Sequence, residues 1–496
     1  MTTAVDPTNA VSEPSRYWTT ANIGEATPDV LSPMCWSFWG PQAEAAARRA
    51  YYRFGILSKS ELIVPEDVNE LMTGYFFGRP ALNVDLLRPF FGSLPGVSAD
   101  DFERDLCGKV RPDLPDVRRK SRLPIIVVKG LFAMIRTPKR QQVLEPQQRQ
   151  WWERDVRDGD STADPFGRLR VAADRFRDAF EIHCCGRFIL MSSHAAIAKL
   201  TTSSGRPEQF LELLGGLGGV TEIQLADDLW QVSRGQLDLE TFMRRHGFHG
   251  PNEGNLTAHS WREDAAPVER LVGALATRPE NERPMIREAS LGESRDAIVR
   301  GIVDALPRRQ RRRAQKACEK LVAATRANEL SKAAFLMAID GGRAAARDVG
   351  DLLVARGELD DVEDVFFFTM DELNNLPEDP RLVAKERRRR RDFYRSVSVP
   401  VTFTGTPEAR VVADMASDRL STDDDVVRGA AGSRGTVEGI ARVVSDPQFA
   451  EPLEPGEILV CRFTDPSWTP LLLLAAAVII DIGGPASHGA IVAREL

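Results

Sequence analysis

The segment "DIGGPASHGAIVAREL", residues 481–496, sets one histidine, His488, between a glycine-rich turn and the start of a helix that is apolar on one side. A helix N-terminus offers free backbone N–H groups and the positive end of the helix dipole, which suit a phosphate dianion. Much of an imidazole is unprotonated near neutral pH, so it is a good nucleophile, and a phosphorus–nitrogen bond readily hands its phosphoryl group onward. The residues alone leave two readings open, a phosphoryl carrier and an ordinary hydrogen-bonding loop histidine. In "GFHGPNEGN", His249, Asn252 and Glu253 occupy a Pro/Gly turn. They fit a general base that strips a proton from a hydroxyl, and equally a structural bend in which His249 caps a neighbouring helix. "PMCWSFW" groups Met34, Trp36, Phe38 and Trp39 as either the wall of an aromatic ligand pocket or plain core.

These residues need elements to position them. "AAVIID" reads as a buried strand, "IGGPAS" as a turn whose glycines permit unusual backbone angles, and "HGAIVAREL" as a helix. From about Ala43 to Arg395 apolar positions recur at helical spacing in long, charged segments. Beyond residue 400 the texture changes to short β-branched runs, "GTVEGIARVV", "GEILVCRF" and "AAVIIDIGG", punctuated by glycine turns. The expected fold class is therefore α followed by a smaller α/β unit. The stretch between them, rich in small residues and Asp, reads as a flexible linker.

Composition bounds the function. The chain has 496 residues and a formal net charge of −7, which argues against a dedicated nucleic-acid or anionic-membrane surface. The basic runs "PRRQRRRAQK" and "KERRRRRDFYR" read as solvated helix faces. The start "MTTAVDPTNAVSEPSRYW" carries no export signal, and "LLLLAAAVII" is too short to span a bilayer, so the expected compartment is the cytoplasm. Six cysteines without paired spacing indicate neither a disulfide framework nor a zinc site.

The run from "GSRGTVEGIARVVSDP" to "DIGGPASHGAIVAREL" resembles the phosphohistidine domain, a swivelling or mobile unit, of the PEP-utilising enzymes, which include rifampin phosphotransferase. The resemblance implies that His488 carries the phosphoryl group, that Thr464 of "TDPSW" lies near it, and that Gly483, Gly484 and Ser487 shape the phosphate turn. The helical region resembles the acceptor-binding part of rifampin phosphotransferases. Its "NELSK" is similar to the family's R-E-x-x-K, with Asn328 in place of the arginine and Glu329 and Lys332 retained, and Arg326 pointing elsewhere on the helix. With His249 and Glu253, Lys332 completes the implied acceptor site, its ammonium neutralising the transferring phosphoryl group.

The implied organisation is a disordered N-terminus (1–17), a mostly helical acceptor-binding-like domain (18–405), a linker (406–431) and a C-terminally truncated β/β/α phosphohistidine domain (432–496). The family's ATP-grasp module has no counterpart, so the expectation is that this chain binds no cofactor or metal itself. A separately encoded ATP-grasp-type subunit would bind ATP and magnesium and load His488, and the acceptor would be a hydroxyl-bearing small molecule, with no nucleic acid or membrane involved. The alternative is a non-catalytic ligand-binding relative, for which the missing arginine speaks.

Overall fold

The computed structural model describes residues 6–94, 97–112, 114–115, 119–159, 162–219, 221–412, 426–433, 435–444, 453–454, 456–464, 468–481 and 488–495. Most of the chain to residue 396 is helical, as its periodicity predicts. The longer helices are α1 (Pro33–Arg53), α2 (Leu123–Trp151) and α3 (Pro165–Ser203), then α4 (Thr221–Ser233), the short α5 (Leu239–His246), α6 (Pro284–Ala305), α7 (Arg308–Ala355) and α8 (Pro380–Ser396).

Helix α7 is the spine. It is built mainly of strong helix formers, Ala, Arg, Leu, Lys and Glu, and packs along α3, with α2 beside it. Its Gly341 and Gly342 mark a close approach rather than a turn. A Cβ on them would stand 2.4 Å from the Trp151 ring and 2.7 Å from the Phe38 ring, so the missing side chains let these aromatics lie against the helix backbone. Met34, Phe38 and Trp39 belong to the large core around α7, and Trp36 stacks on Tyr75 with ring centroids 4.5 Å apart. The aromatic cluster of "PMCWSFW" is core.

A small sheet escapes the helical reading. Strands β1 (Tyr17–Thr19), β2 (Thr73–Phe76), β3 (Arg79–Asn83) and β5 (Thr402–Thr404) form an antiparallel sheet in the order β2-β3-β1-β5, while β4 (Val397–Ser398) pairs with β6 (Arg410–Val411). Phe77 and Gly78, at φ 49° and 69°, make the tight β2–β3 turn.

Residues 6–17 differ from the expected disorder. Ala10 donates its N–H to the Tyr75 carbonyl, Trp18 Nε1 donates to Ser12 Oγ, and Tyr394 Oη donates to Asp6 Oδ2. Short hydroxyl and carboxylate side chains thus tie this segment to the sheet and to α8. The start of the expected linker is tied as well, through Ser12 N–H to Thr406 Oγ1 and through β6. Residues 413–425, the middle of the expected linker, lie outside the described residues.

The C-terminal unit holds a parallel sheet, β7 (Ala441–Val444), β8 (Ile458–Cys461) and β9 (Ala477–Ile480), in the order β7-β8-β9, with helices α9 (Thr469–Leu474) and α10 (His488–Glu495). The period-two alternation of β8 buries Leu459 and Cys461 on the inner face. That face, with Trp468, Leu471–Leu474 and Val492, shares one apolar cluster with Leu225, Leu229 and Trp230 of α4 and with Phe242 and Trp261. The unit is docked on the helical body. Among the described residues no helix is long and apolar enough to cross a membrane.

Candidate functional site

The residues expected from the sequence to form the acceptor site gather at the spine helix. Glu329, Lys332, Ala333 and Leu336 recur at spacings of three, one and three, which places them on one face of α7. They line a pocket with Thr221, Glu222 and Leu225 from the first turns of α4 and with His249. The pocket has room for about one water molecule.

Farther along the same face, Arg343 is buried and donates to the carbonyls of Asn252, Glu253 and Asn255, at 3.4, 2.5 and 3.2 Å. One guanidinium thereby gathers three carbonyls that a Pro/Gly turn leaves without strand or helix partners. Between the two groups, Asp340 accepts from Trp152 Nε1 at 2.7 Å and from both ends of the Arg262 guanidinium at 3.0 and 3.2 Å. Burial works against its charge, but Arg262 holds Asp340 below the usual carboxylate range. The turn itself needs Asn252 at φ 53° and a glycine at 254, where a Cβ would stand 2.1 Å from the Ala26 carbonyl oxygen.

This scaffold fixes a His–Glu pair. His249 Nδ1 lies 2.5 Å from Glu253 Oε1, both side chains are buried, and His249 Nε2 has no hydrogen-bond partner among the described residues. In a neutral imidazole, donation from Nδ1 to Glu253 leaves a lone pair on Nε2 beside the pocket. Opposite it, Lys332 Nζ is 3.2 Å from Glu222 Oε1 and 4.0 Å from Glu329 Oε2. Burial opposes the charge on Lys332, but the two carboxyl groups outweigh it and keep the ammonium charged beyond its ordinary range. Burial, reinforced by the charge of Glu222, pushes Glu329 up to about 8 from 4.5.

Sequence reasoning placed Lys332, His249 and Glu253 together, and the structure brings them to one pocket and its wall. It missed Glu222, an ordinary acidic residue in a helix's first turn by type, and Arg343, one arginine among many. Asn328 is buried beside the pocket without lining it: its Nδ2 lies 3.5 Å from Oε1 of Glu329, and its Oδ1 is 3.7 Å from where a Cβ on Gly186 would stand. Arg326 does not replace the missing arginine, because its guanidinium donates to the carbonyls of Leu217 and Gly218.

On the other unit, His488 is the first residue of α10. Thr464 is buried, and a Cβ on Gly489 would stand 2.6 Å from its Oγ1. The threonine hydroxyl therefore lies against the backbone that follows His488. Gly483, Gly484 and Ser487 lie outside the described residues. Helix α10 packs on α4 and α6, and α4 also lines the pocket at Lys332 and His249. Among the described residues no group of three or more His, Cys, Asp or Glu is arranged to hold a metal ion.

Comparison with known families matches two stretches of the chain. Residues 453–496 match the PEP-utilising enzyme mobile domain, and residues 234–329 match the rifampicin phosphotransferase fourth domain. The chain is similar to rifampicin phosphotransferases. One from Streptomyces sp. is 32% identical over 300 residues, 57% of this chain and 34% of the relative. One from Bacillus cereus is 24% identical over 305 residues, 57% of this chain and 34% of the relative. One from Streptomyces sviceus is 38% identical over 146 residues, 29% of this chain and 16% of the relative. The matched stretches thus span 34% or less of the length of these relatives.

Proposed function

We propose that the protein is a phosphotransferase in which His488 carries a phosphoryl group to a small molecule whose hydroxyl enters the Lys332–His249 pocket, which has room for a group of about that size. The observation that carries this reading is the shared helix. Helix α4 lines the pocket through Thr221, Glu222 and Leu225, and α10, which begins at His488, packs against it. In the transfer step the phosphorus–nitrogen bond of phosphohistidine breaks and a phosphorus–oxygen bond to the acceptor forms. The acceptor's proton passes to His249 Nε2, and the departing imidazole of His488 takes up a proton from solvent. Glu253 orients the base, and the Lys332 ammonium offsets the phosphoryl charge. A separate ATP-grasp-type subunit, binding ATP and magnesium, supplies the phosphoryl group.

A second reading, ligand binding without catalysis, draws on Asn328, whose buried amide brings no cation to the pocket. Phosphoramidate, which phosphorylates histidine without an enzyme, separates the two. Treated protein should carry acid-labile, base-stable phosphate that His488→Ala lacks, and should pass it to a hydroxyl compound drawn from a panel of small alcohols and phenols. His249→Gln should keep the label and lose about 100-fold or more in transfer rate. Label that survives His488→Ala, or that no compound discharges faster than water does, would sink the carrier reading.

A further inference from the structure

Helix α2 carries a feature that the transfer chemistry does not use. Its buried positions Ile126, Ala133, Thr137, Gln141 and Leu144 fall on one narrow stripe. From Leu123 to Ile135 every exposed side chain is apolar: Leu123, Pro124, Ile125, Val127, Val128, Leu131, Phe132, Met134 and Ile135. Leu131, Phe132 and Ile135 retain 59%, 58% and 66% of their accessible surface, values that belong to side chains pointing straight into solvent. Folded monomers rarely leave so continuous an apolar face uncovered.

The charge around this face is one-sided. From Val117 to Leu144 the sequence holds eight Lys or Arg residues and no Asp or Glu, in a chain whose net charge is −7. Some of these cations are committed: Arg119 pairs with Glu61, Arg140 with Glu181, and Lys129 lies over the Tyr52 ring. Arg136 and Lys139 are exposed beside the apolar face, with no acidic partner among the described residues. The whole-chain charge is negative, whereas the charge local to this face is positive.

We infer that the outward face of α2 docks on an anionic lipid surface. An apolar helix face with cations at its edge is the pattern that lies in the headgroup boundary, aliphatic side chains inserted and ammonium or guanidinium groups on lipid phosphates. A protein partner fits less well. Protein interfaces carry several hydrogen bonds and mixed polar side chains, whereas the only exposed polar side chains between Leu123 and Lys139 are Arg136 and Lys139. The helix lies flat on the surface rather than crossing it, consistent with its buried stripe remaining packed on the body.

The full chain is sedimented with vesicles of phosphatidylcholine and of phosphatidylcholine mixed with phosphatidylglycerol. It should pellet with the anionic vesicles, about tenfold more than with the neutral ones, and release as salt is raised. Leu131→Glu with Ile135→Glu should abolish binding, and Arg136→Glu with Lys139→Glu should lower it by about tenfold or more. All four sites are exposed, so the melting temperature of each variant should match the parent's. Protein that stays in solution with both vesicles overturns the inference, as does equal binding to both or binding unchanged in the Leu131/Ile135 variant. A dimer in light scattering that this variant disperses would also overturn it, by showing a second copy on the face.

Discussion

Lys332 faces two carboxyl groups, Glu222 and Glu329, and burial beside Glu222 pushes Glu329 up to about 8. The consequence for stability has a definite sign. A carboxyl raised from 4.5 to about 8 binds its proton more tightly in the folded state, so its stabilising contribution is full below the unfolded value and is lost as pH rises through the folded one. Melting temperature should fall between about pH 4.5 and 8 more steeply in the parent than in Glu329→Gln, which cannot ionise. Equal slopes for the two would show that Glu329 ionises normally. Lys332, His249 and Glu253 were legible in the sequence as a lysine in a recognisable pattern and a His–Glu pair in a Pro/Gly turn. Glu222 was not, because its role comes from where α4 lies against α7, a tertiary fact that no local pattern records.

At the scale of elements, long helices were legible and short strands were not. Periodicity accumulates over the 48 residues of α7, but strands of two to five residues such as β1 to β6 offer too few alternations to read. The pairing of Trp18 with Phe403 joins residues from opposite ends of the helical region, so no window along the chain contains both. The strand before His488 and the helix that opens at it were legible because each has its own signal, a β-branched run and an apolar-sided helix; the glycine turn expected between them lies outside the described residues. What the structure adds is the clearance at Gly489. A methyl group there would stand 2.2 Å from Ile480 Cδ1 and 2.6 Å from Thr464 Oγ1. Gly489→Ala should therefore shift the start of α10 away from Thr464 and slow phosphoramidate labelling of His488 by about tenfold or more, while overpacking costs about 1–3 kcal/mol of stability. Unchanged labelling would show that contact with Thr464 does not shape the carrier site.

Across the whole molecule, the C-terminal unit rests on the helical body through Leu471–Leu474, Trp468 and Val492 against α4, an apolar contact reinforced by Arg278 Nη2 donating to the Leu474 carbonyl at 2.9 Å. Under the proposed function, a carrier that also visits a separate donor must leave this contact, so the docked arrangement should serve one half of the cycle, delivery to the pocket that α4 lines. Gly215 tests that assignment without touching either site. It lies against α10, where a Cβ would stand 3.3 Å from the Arg494 carbonyl oxygen, and its φ of −106° is open to any residue. Gly215→Leu should therefore wedge α10 off the body at no backbone cost. Labelling of His488 from phosphoramidate should stay within about twofold of the parent, because the carrier site itself is intact, and acceptor affinity measured by calorimetry should hold. Transfer from the labelled protein should fall by about tenfold or more, since the reacting atoms no longer meet in a fixed geometry. If transfer instead keeps pace with the parent, the docked contact is a resting position, and delivery must use another approach of His488 to Lys332 and His249.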